Sequence, residues 1–153
     1  MAHPPLARPA PSTGTERTVL AYGLGAAATA AGLGYALADG FALGGLERHL
    51  HALYDPVGKY GESAPLYGYL VVVGVVGLLC WWANLRWVRR RAATARRRGA
   101  ITLGVAAIPV LAPVFLQEYG QPVIPLSLAA GYLVAWSCGL LGVLLLRRPG
   151  STI

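Results

Sequence analysis

Acid–base chemistry in this chain would depend on four ionisable side chains that lie in or beside apolar segments: Asp39, His49, His51 and Glu118. Asp39 lies within an apolar run, and an ionisable residue in such a run is a candidate for function. At 1.5 Å per residue, it lies about 30 Å along a helix that begins at Thr18. That depth corresponds to the outer headgroups, so a solvated interfacial acid is the simpler interpretation. The four residues together form a candidate outer-face site.

Metal binding and covalent catalysis have weaker grounds in the sequence. Glu47 and His51 are four residues apart and could share a metal ion with His49 or Asp55, but a zinc site needs three or four ligands with supporting partners. An amphipathic connector on the membrane surface is the simpler interpretation of this loop. Cys80 and Cys138 lie in separate apolar runs and have no zinc-ligand spacing. We predict no metal, no cofactor and no catalytic residue, which favours a non-enzymatic protein over a lipid-active membrane enzyme.

Apolar segments dominate the rest of the chain. Of its 153 residues, 56% are hydrophobic and 12% are charged, against about 25% charged in a typical soluble domain. A transmembrane helix needs about 20 apolar residues. The sequence predicts an all-α integral membrane protein, a bundle of four transmembrane helices in residues 18–148, flanked by a disordered tail, 1–17, and a short tail, 149–153. The predicted spans are residues 18–46, 66–88, 101–117 and 123–146.

The distribution of basic residues predicts the orientation. The chain has thirteen lysines and arginines, and only Arg48 and Lys59 fall on one side of the predicted spans. Of the other eleven, two precede the first span, two follow the fourth, and seven lie in residues 86–98, where the second span ends and the loop to the third begins. Because cytoplasmic loops are enriched in Lys and Arg, both termini and this arginine loop are predicted to be cytoplasmic. The loop is then expected to bind anionic lipid rather than nucleic acid.

One alternative removes the first span. Arg17, the following apolar stretch and an Ala-Leu-Ala triplet before Asp39 resemble a secretory signal with a cleavage site. Against cleavage, the apolar stretch is longer than the usual length of about 7–15 residues, and it stays apolar through Leu46. We expect residues 1–38 to be retained as the first span.

Small residues recur every four positions in two of the predicted spans. In lipid, such faces let helix backbones approach closely, so we expect the first and fourth spans to pack tightly, with each other or across a dimer. The first-span stripe consists of Ala28, Gly32, Ala36, Gly40 and Gly44, and the fourth-span stripe consists of Ser127, Gly131, Ala135 and Gly139.

The third predicted span contains Pro109 and Pro113, one helical turn apart. A proline has no N–H, so each frees the carbonyl four residues upstream, at Val105 and Pro109. Freed carbonyls at membrane depth must find a neighbouring donor or water. We predict a kinked helix that fits its partners, with a polar path as the alternative.

The composition, rich in Ala, Gly, Arg, Leu and Val, resembles that of small four-span membrane proteins of GC-rich bacterial genomes. This resemblance implies a multi-pass protein of the bacterial plasma membrane. The favoured function is an accessory or scaffold subunit that associates with itself or another membrane protein through its glycine-rich faces. The alternative is an oligomeric small-solute transporter or channel that uses Asp39, Glu118 and the kinked third span.

The charge asymmetry gives a direct test of topology. Single cysteines placed at Ser63 and Gly120 should react with a membrane-impermeant maleimide added outside, because both positions lie in the predicted outer loops. A cysteine at Thr94, in the arginine loop, should react only after the membrane is permeabilised. External labelling at Thr94 would reverse the predicted orientation.

Overall fold

Four long helices make up most of the protein, for which a computed structural model describes residues 13–90 and 94–146. They are α1 (Thr13–Ala38), α3 (Ala64–Arg89), α4 (Ala95–Phe115) and α5 (Leu126–Leu145), and the short helix α2 (Gly45–Tyr54) connects α1 to α3. Each of the four long helices is long and apolar enough to cross a membrane. The prediction of four long apolar helices in an all-α chain is confirmed.

The first helix begins earlier than predicted. α1 starts at Thr13, inside the segment expected to be a disordered tail. Glu16 lies in its first turn, where a carboxylate stabilises the positive end of the helix dipole. The Thr18 hydroxyl donates to the Gly14 carbonyl oxygen at 2.9 Å. The rest of the predicted tails, residues 1–12 and 149–153, lies outside the described residues.

The first apolar run does not continue as one helix to residue 46. α1 ends at Ala38, a π-helical turn covers Asp39–Leu43, and α2 begins at Gly45. Gly44 joins them with a φ of +62°, a left-handed conformation that glycine adopts without the steric penalty of a Cβ. The chain therefore changes direction at Gly44.

The short helix α2 covers one end of the bundle. Leu46, Leu50 and Leu53 form its apolar face and are all buried. Leu46 and Leu50 belong to one cluster with Leu70 of α3 and Leu128 of α5. The apolar face of α2 therefore packs on the bundle and does not lie on the membrane surface, because the turn at residue 44 directs it inward.

The two helices α1 and α5 approach most closely where Gly32 faces Gly131. A Cβ built on Gly131 would lie 2.8 Å from the Gly32 Cα and 3.1 Å from the Ala28 carbonyl oxygen. Both obstacles are backbone atoms, so a side chain at Gly131 has no space, whereas a Cβ on Gly32 would lie 3.4 Å from the Gly131 Cα, an ordinary contact. On either side of this pair, α3 packs mainly against α1 and α4 mainly against α5.

The buried face of α1 alternates spacings of three and four instead of repeating every four residues. A helix has 3.6 residues per turn, so a strict spacing of four drifts around the axis while a mean of 3.5 stays near one face. Gly32 and Ala36 of the predicted stripe are buried, Ala28 is half-buried, and Gly40 is exposed. The face consists of Thr18, Tyr22, Gly25, Thr29, Gly32 and Ala36, and it ends at Asp39 in the π-helical turn.

The buried face of α5 follows the same alternation. Ala135 and Gly139 of the predicted stripe lie on it, Gly131 lies at its edge against α1, and Ser127 is exposed. The face consists of Leu128, Tyr132, Ala135, Gly139 and Gly142. Two antiparallel helices with matching spacings thus form the central pair of the bundle.

The glycine crossing predicts stability changes of opposite sign for one substitution at two sites. Gly131→Ala should destabilise the protein by about 1–3 kcal/mol, because the new Cβ overlaps backbone atoms. Gly34→Ala should stabilise it by about 0.5–1 kcal/mol, since alanine favours the helix and a Cβ there meets open space. Thermal unfolding in detergent micelles measures both. Equal shifts of the two midpoints would show that the helices do not cross at Gly131.

Candidate functional site

The four ionisable residues predicted as an outer-face site do not form one cluster. Asp39 and His49 line a common pocket of about 320 Å³. The side chain of His51 is 58% exposed and lies 3.3 Å from Asp55, and Glu118 is bonded to Tyr54 instead. Within residues 13–90 and 94–146, no group of three or more His, Cys, Asp or Glu side chains is arranged to hold a metal ion.

Asp39 is a buried helix cap. It is only 2% exposed, so the prediction of a solvated side chain is wrong. One carboxylate oxygen accepts a hydrogen bond from the Gly45 N–H at 2.9 Å, and the other accepts from the Leu46 N–H at 2.9 Å and the Tyr67 hydroxyl at 2.6 Å. These N–H groups begin α2 and have no partner within that helix. The carboxylate therefore satisfies the start of α2 and ties it to α3.

Two further hydrogen bonds attach α2 to the hairpin that connects α4 to α5, whose strands are β1 (Gln117–Glu118) and β2 (Gln121–Pro122). His49 Nε2 donates to the Pro122 carbonyl oxygen at 2.8 Å. The Tyr54 hydroxyl donates to the Glu118 carboxylate at 2.6 Å, and this bond raises the pKa of Tyr54 to about 12. The bond holds while the phenol is protonated, so it persists at neutral pH and is lost as the pH rises through about 12. Hydrogen bonds of Asp39, His49 and Glu118 thus hold α2 against α3 and the hairpin.

A groove lies between α3 and α4, with α1 and α5 as its floor. Its volume of about 590 Å³ lies within the range of about 300–1,000 Å³ typical of ligand pockets. None of its lining residues carries a charged side chain. Val73 and Val76 of α3 face Val105 and Ala106 of α4 across it. We call this feature the α3–α4 groove.

Polar and aromatic contacts close the groove at both ends. At the α2 end, the Tyr69 hydroxyl donates to the Pro109 carbonyl oxygen. That carbonyl is the one freed by Pro113, so a side chain of α3 supplies the donor it needs. Both prolines lie within α4, which continues from Ala95 to Phe115. At the arginine end, the Arg98 guanidinium of α4 lies 5.1 Å from the ring centroid of Trp87 on α3.

The floor of the groove carries polar groups that are paired within the protein. The Trp81 indole N–H donates to the Thr29 hydroxyl at 2.8 Å, and Thr29 donates to the Gly25 carbonyl oxygen at 3.0 Å. The Tyr132 hydroxyl donates to the Leu70 carbonyl oxygen at 3.0 Å. These bonds fix the aromatic side chains as rigid walls. The hydroxyl of Tyr22, also in the floor, has no hydrogen-bond partner among the described residues.

The sequence contains a signal for this floor that a spacing of four residues does not capture. Tyr22 and Thr29 lie seven residues apart on the same buried face as Gly32. A polar or aromatic residue at such a heptad position faces the partner helices. Trp81 and Trp82 are adjacent in the sequence, but Trp82 is 62% exposed, while Trp81 packs inward against Tyr22.

Known proteins provide no template for these features. No family model, curated protein or solved structure matches this chain. The groove and the fastened helix α2 therefore have to be interpreted from their own chemistry.

The capping role of Asp39 predicts a local effect on α2. Asp39→Asn should speed hydrogen exchange of the backbone amides of α2, because both carboxylate oxygens accept hydrogen bonds and an amide replaces one of them with an NH2 donor. Asp55→Asn, the same change at an exposed position at the other end of α2, should leave the exchange rates nearly unchanged. Exchange measured by mass spectrometry compares the two variants. Equal rates in Asp39→Asn and wild type would refute the cap.

Proposed function

We propose that this is a small non-enzymatic accessory protein of the bacterial plasma membrane that binds an apolar ligand in the α3–α4 groove. The observation that carries the proposal is the groove itself, about 590 Å³ in volume and bordered by apolar side chains of two helices. Helices of a bundle pack through dispersion and close contact, so a gap of this size between two of them favours an occupant. Lipid-soluble molecules have direct access to such a gap.

The proposed orientation places both termini in the cytoplasm. It is supported by the concentration of arginines around residues 86–98, next to the end of the groove at which Arg98 packs on Trp87. In this orientation, α2 lies on the outer side, and anionic lipid binds at the arginine loop. The groove then opens to the hydrocarbon region between these two surfaces.

The proposed accessory protein would not bind a partner through its glycine-rich helix faces. Gly32 and Gly131 contact each other, and Gly139 lies against Leu103 and Trp81 of the same chain. These glycines therefore support the fold of the single chain. Self-association or association with another membrane protein would use the surfaces that α3 and α4 leave outside.

Transport is the second candidate, and the extent of the groove favours it. The lining runs from Asn84 and Gly99 at the arginine end to Tyr69 and Pro109 at the α2 end. Because the lining is apolar, the solute moved along it would be lipid-soluble instead of a small hydrophilic molecule. The α2 end is closed by the Tyr69 bond, so release on the outer side would require that bond to open.

Saturable photolabelling tests ligand binding in the groove. A diazirine-bearing hexadecane, added to the protein in dioleoylphosphatidylcholine vesicles, should label Val73 saturably and be displaced by unlabelled hexadecane. Ala106→Trp should reduce this labelling at least fivefold, because the indole fills the groove. Ala100→Trp, the same change at an exposed position of α4 outside the groove, should leave it intact.

Labelling of Leu20, an exposed residue of α1, provides the background of simple contact with lipid. It should rise linearly with probe in every variant. If Val73 labelling is also linear and insensitive to Ala106→Trp, the groove has no specific occupant and the proposed function is wrong.

A further inference from the structure

The Tyr22 hydroxyl has an unusual position in the floor of the α3–α4 groove. Tyr22 is 2% exposed and lines the groove. Among the described residues, its hydroxyl is the one buried side-chain polar atom without a hydrogen-bond partner. A buried hydroxyl left unpaired carries a desolvation cost, and such exceptions in a well-packed structure require an explanation.

Packing fixes the direction of this hydroxyl. The Tyr22 ring lies against Trp81, with ring centroids 5.5 Å apart. On its other side it fills the space left by Gly142, where any Cβ would overlap the ring. Because the ring cannot turn toward water without breaking these contacts, a partner for the hydroxyl has to arrive through the groove.

The surroundings of the hydroxyl define what that partner must look like. A Cβ built on Gly99 would lie 2.7 Å from the Tyr22 hydroxyl oxygen and 3.5 Å from Asn84 Oδ1, so both polar atoms lie beside the Gly99 backbone, and all three residues line the groove. Asn84 Nδ2 donates to the Cys80 carbonyl oxygen at 2.9 Å. A carbonyl oxygen can only accept, so this bond assigns the amide orientation. Asn84 Oδ1 is then an acceptor beside the Tyr22 donor.

We propose that Tyr22 and Asn84 bind the hydroxyl group of a neutral lipid alcohol whose apolar tail occupies the α3–α4 groove; this rests on the proposed function. The ligand oxygen accepts from the Tyr22 hydroxyl, and the ligand O–H donates to Asn84 Oδ1. A hydroxyl is both donor and acceptor, so it matches the pair, whereas an ether or ketone satisfies only Tyr22. The lining contains no charged side chain, which selects a neutral headgroup.

The depth of the site agrees with such an amphiphile. Tyr22 lies four residues, about 6 Å, along α1 from Thr18, the residue at which the first apolar run starts. The headgroup would therefore lie just beneath the cytoplasmic interface. From Gly99 to Pro109 on α4, the groove extends about 15 Å, which leaves the tail to run along the helices toward the α2 end.

Three photoactivatable probes of equal chain length separate the contributions: hexadecanol, its methyl ether and hexadecane. In wild type, the half-saturating concentration for labelling Val73 should fall about fivefold for each hydrogen bond gained, in the order hexadecane, ether, alcohol. Tyr22→Phe should remove the advantage of the ether over hexadecane and weaken the alcohol by at least fivefold. It should leave the half-saturating concentration of hexadecane unchanged, which also shows that the variant is folded.

Tyr35→Phe, which removes a hydroxyl from α1 outside the groove, is the control and should match wild type with all three probes. If hexadecane saturates but the three probes bind equally in wild type and Tyr22→Phe, the anchor is wrong while groove binding stands. If hexadecane itself fails to saturate, the proposed function fails first.

Discussion

The close approach of α1 and α5 is the constraint on which the rest of the structure depends. Where Gly32 faces Gly131, the obstacle to any side chain is backbone, so these two helices form the central pair. In lipid there is no hydrophobic drive to bring helices together, and close van der Waals contact supplies much of the association energy. With α3 placed on α1 and α4 on α5, the gap between the two outer helices remains as the groove.

Several polar groups near the ends of the bundle hold backbone in place. The Asp39 carboxylate satisfies the first N–H groups of α2, and the Tyr69 hydroxyl satisfies the carbonyl that Pro113 frees. Each of these pairs removes the cost of an unpaired group in an apolar setting. Tyr22 differs from these groups, because its buried hydroxyl has no hydrogen-bond partner among the described residues. That departure is why the groove is interpreted as a binding site with a polar anchor.

The sequence was sufficient to predict the number of long helices, because about twenty apolar residues in a row have few alternatives to a membrane span. It was not sufficient for the break at Gly44, because the run stays apolar through a turn that depends on a left-handed glycine and on the Asp39 cap six residues before Gly45. It indicated helix packing through Gly32 and Gly131, but a spacing of four placed Gly40 on the wrong face. The groove depends on how far apart α3 and α4 lie, a long-range distance that no local pattern encodes.

The most direct measurement of this account is an experimental structure of the protein purified from its native membrane into lipid nanodiscs without delipidation. The account predicts that Gly32 and Gly131 are in backbone contact and that elongated non-protein density lies between α3 and α4. One end of that density should reach hydrogen-bonding distance of the Tyr22 hydroxyl and Asn84. A structure in which α3 and α4 touch along their lengths, with the Tyr22 hydroxyl bonded to protein and the groove absent, would contradict it.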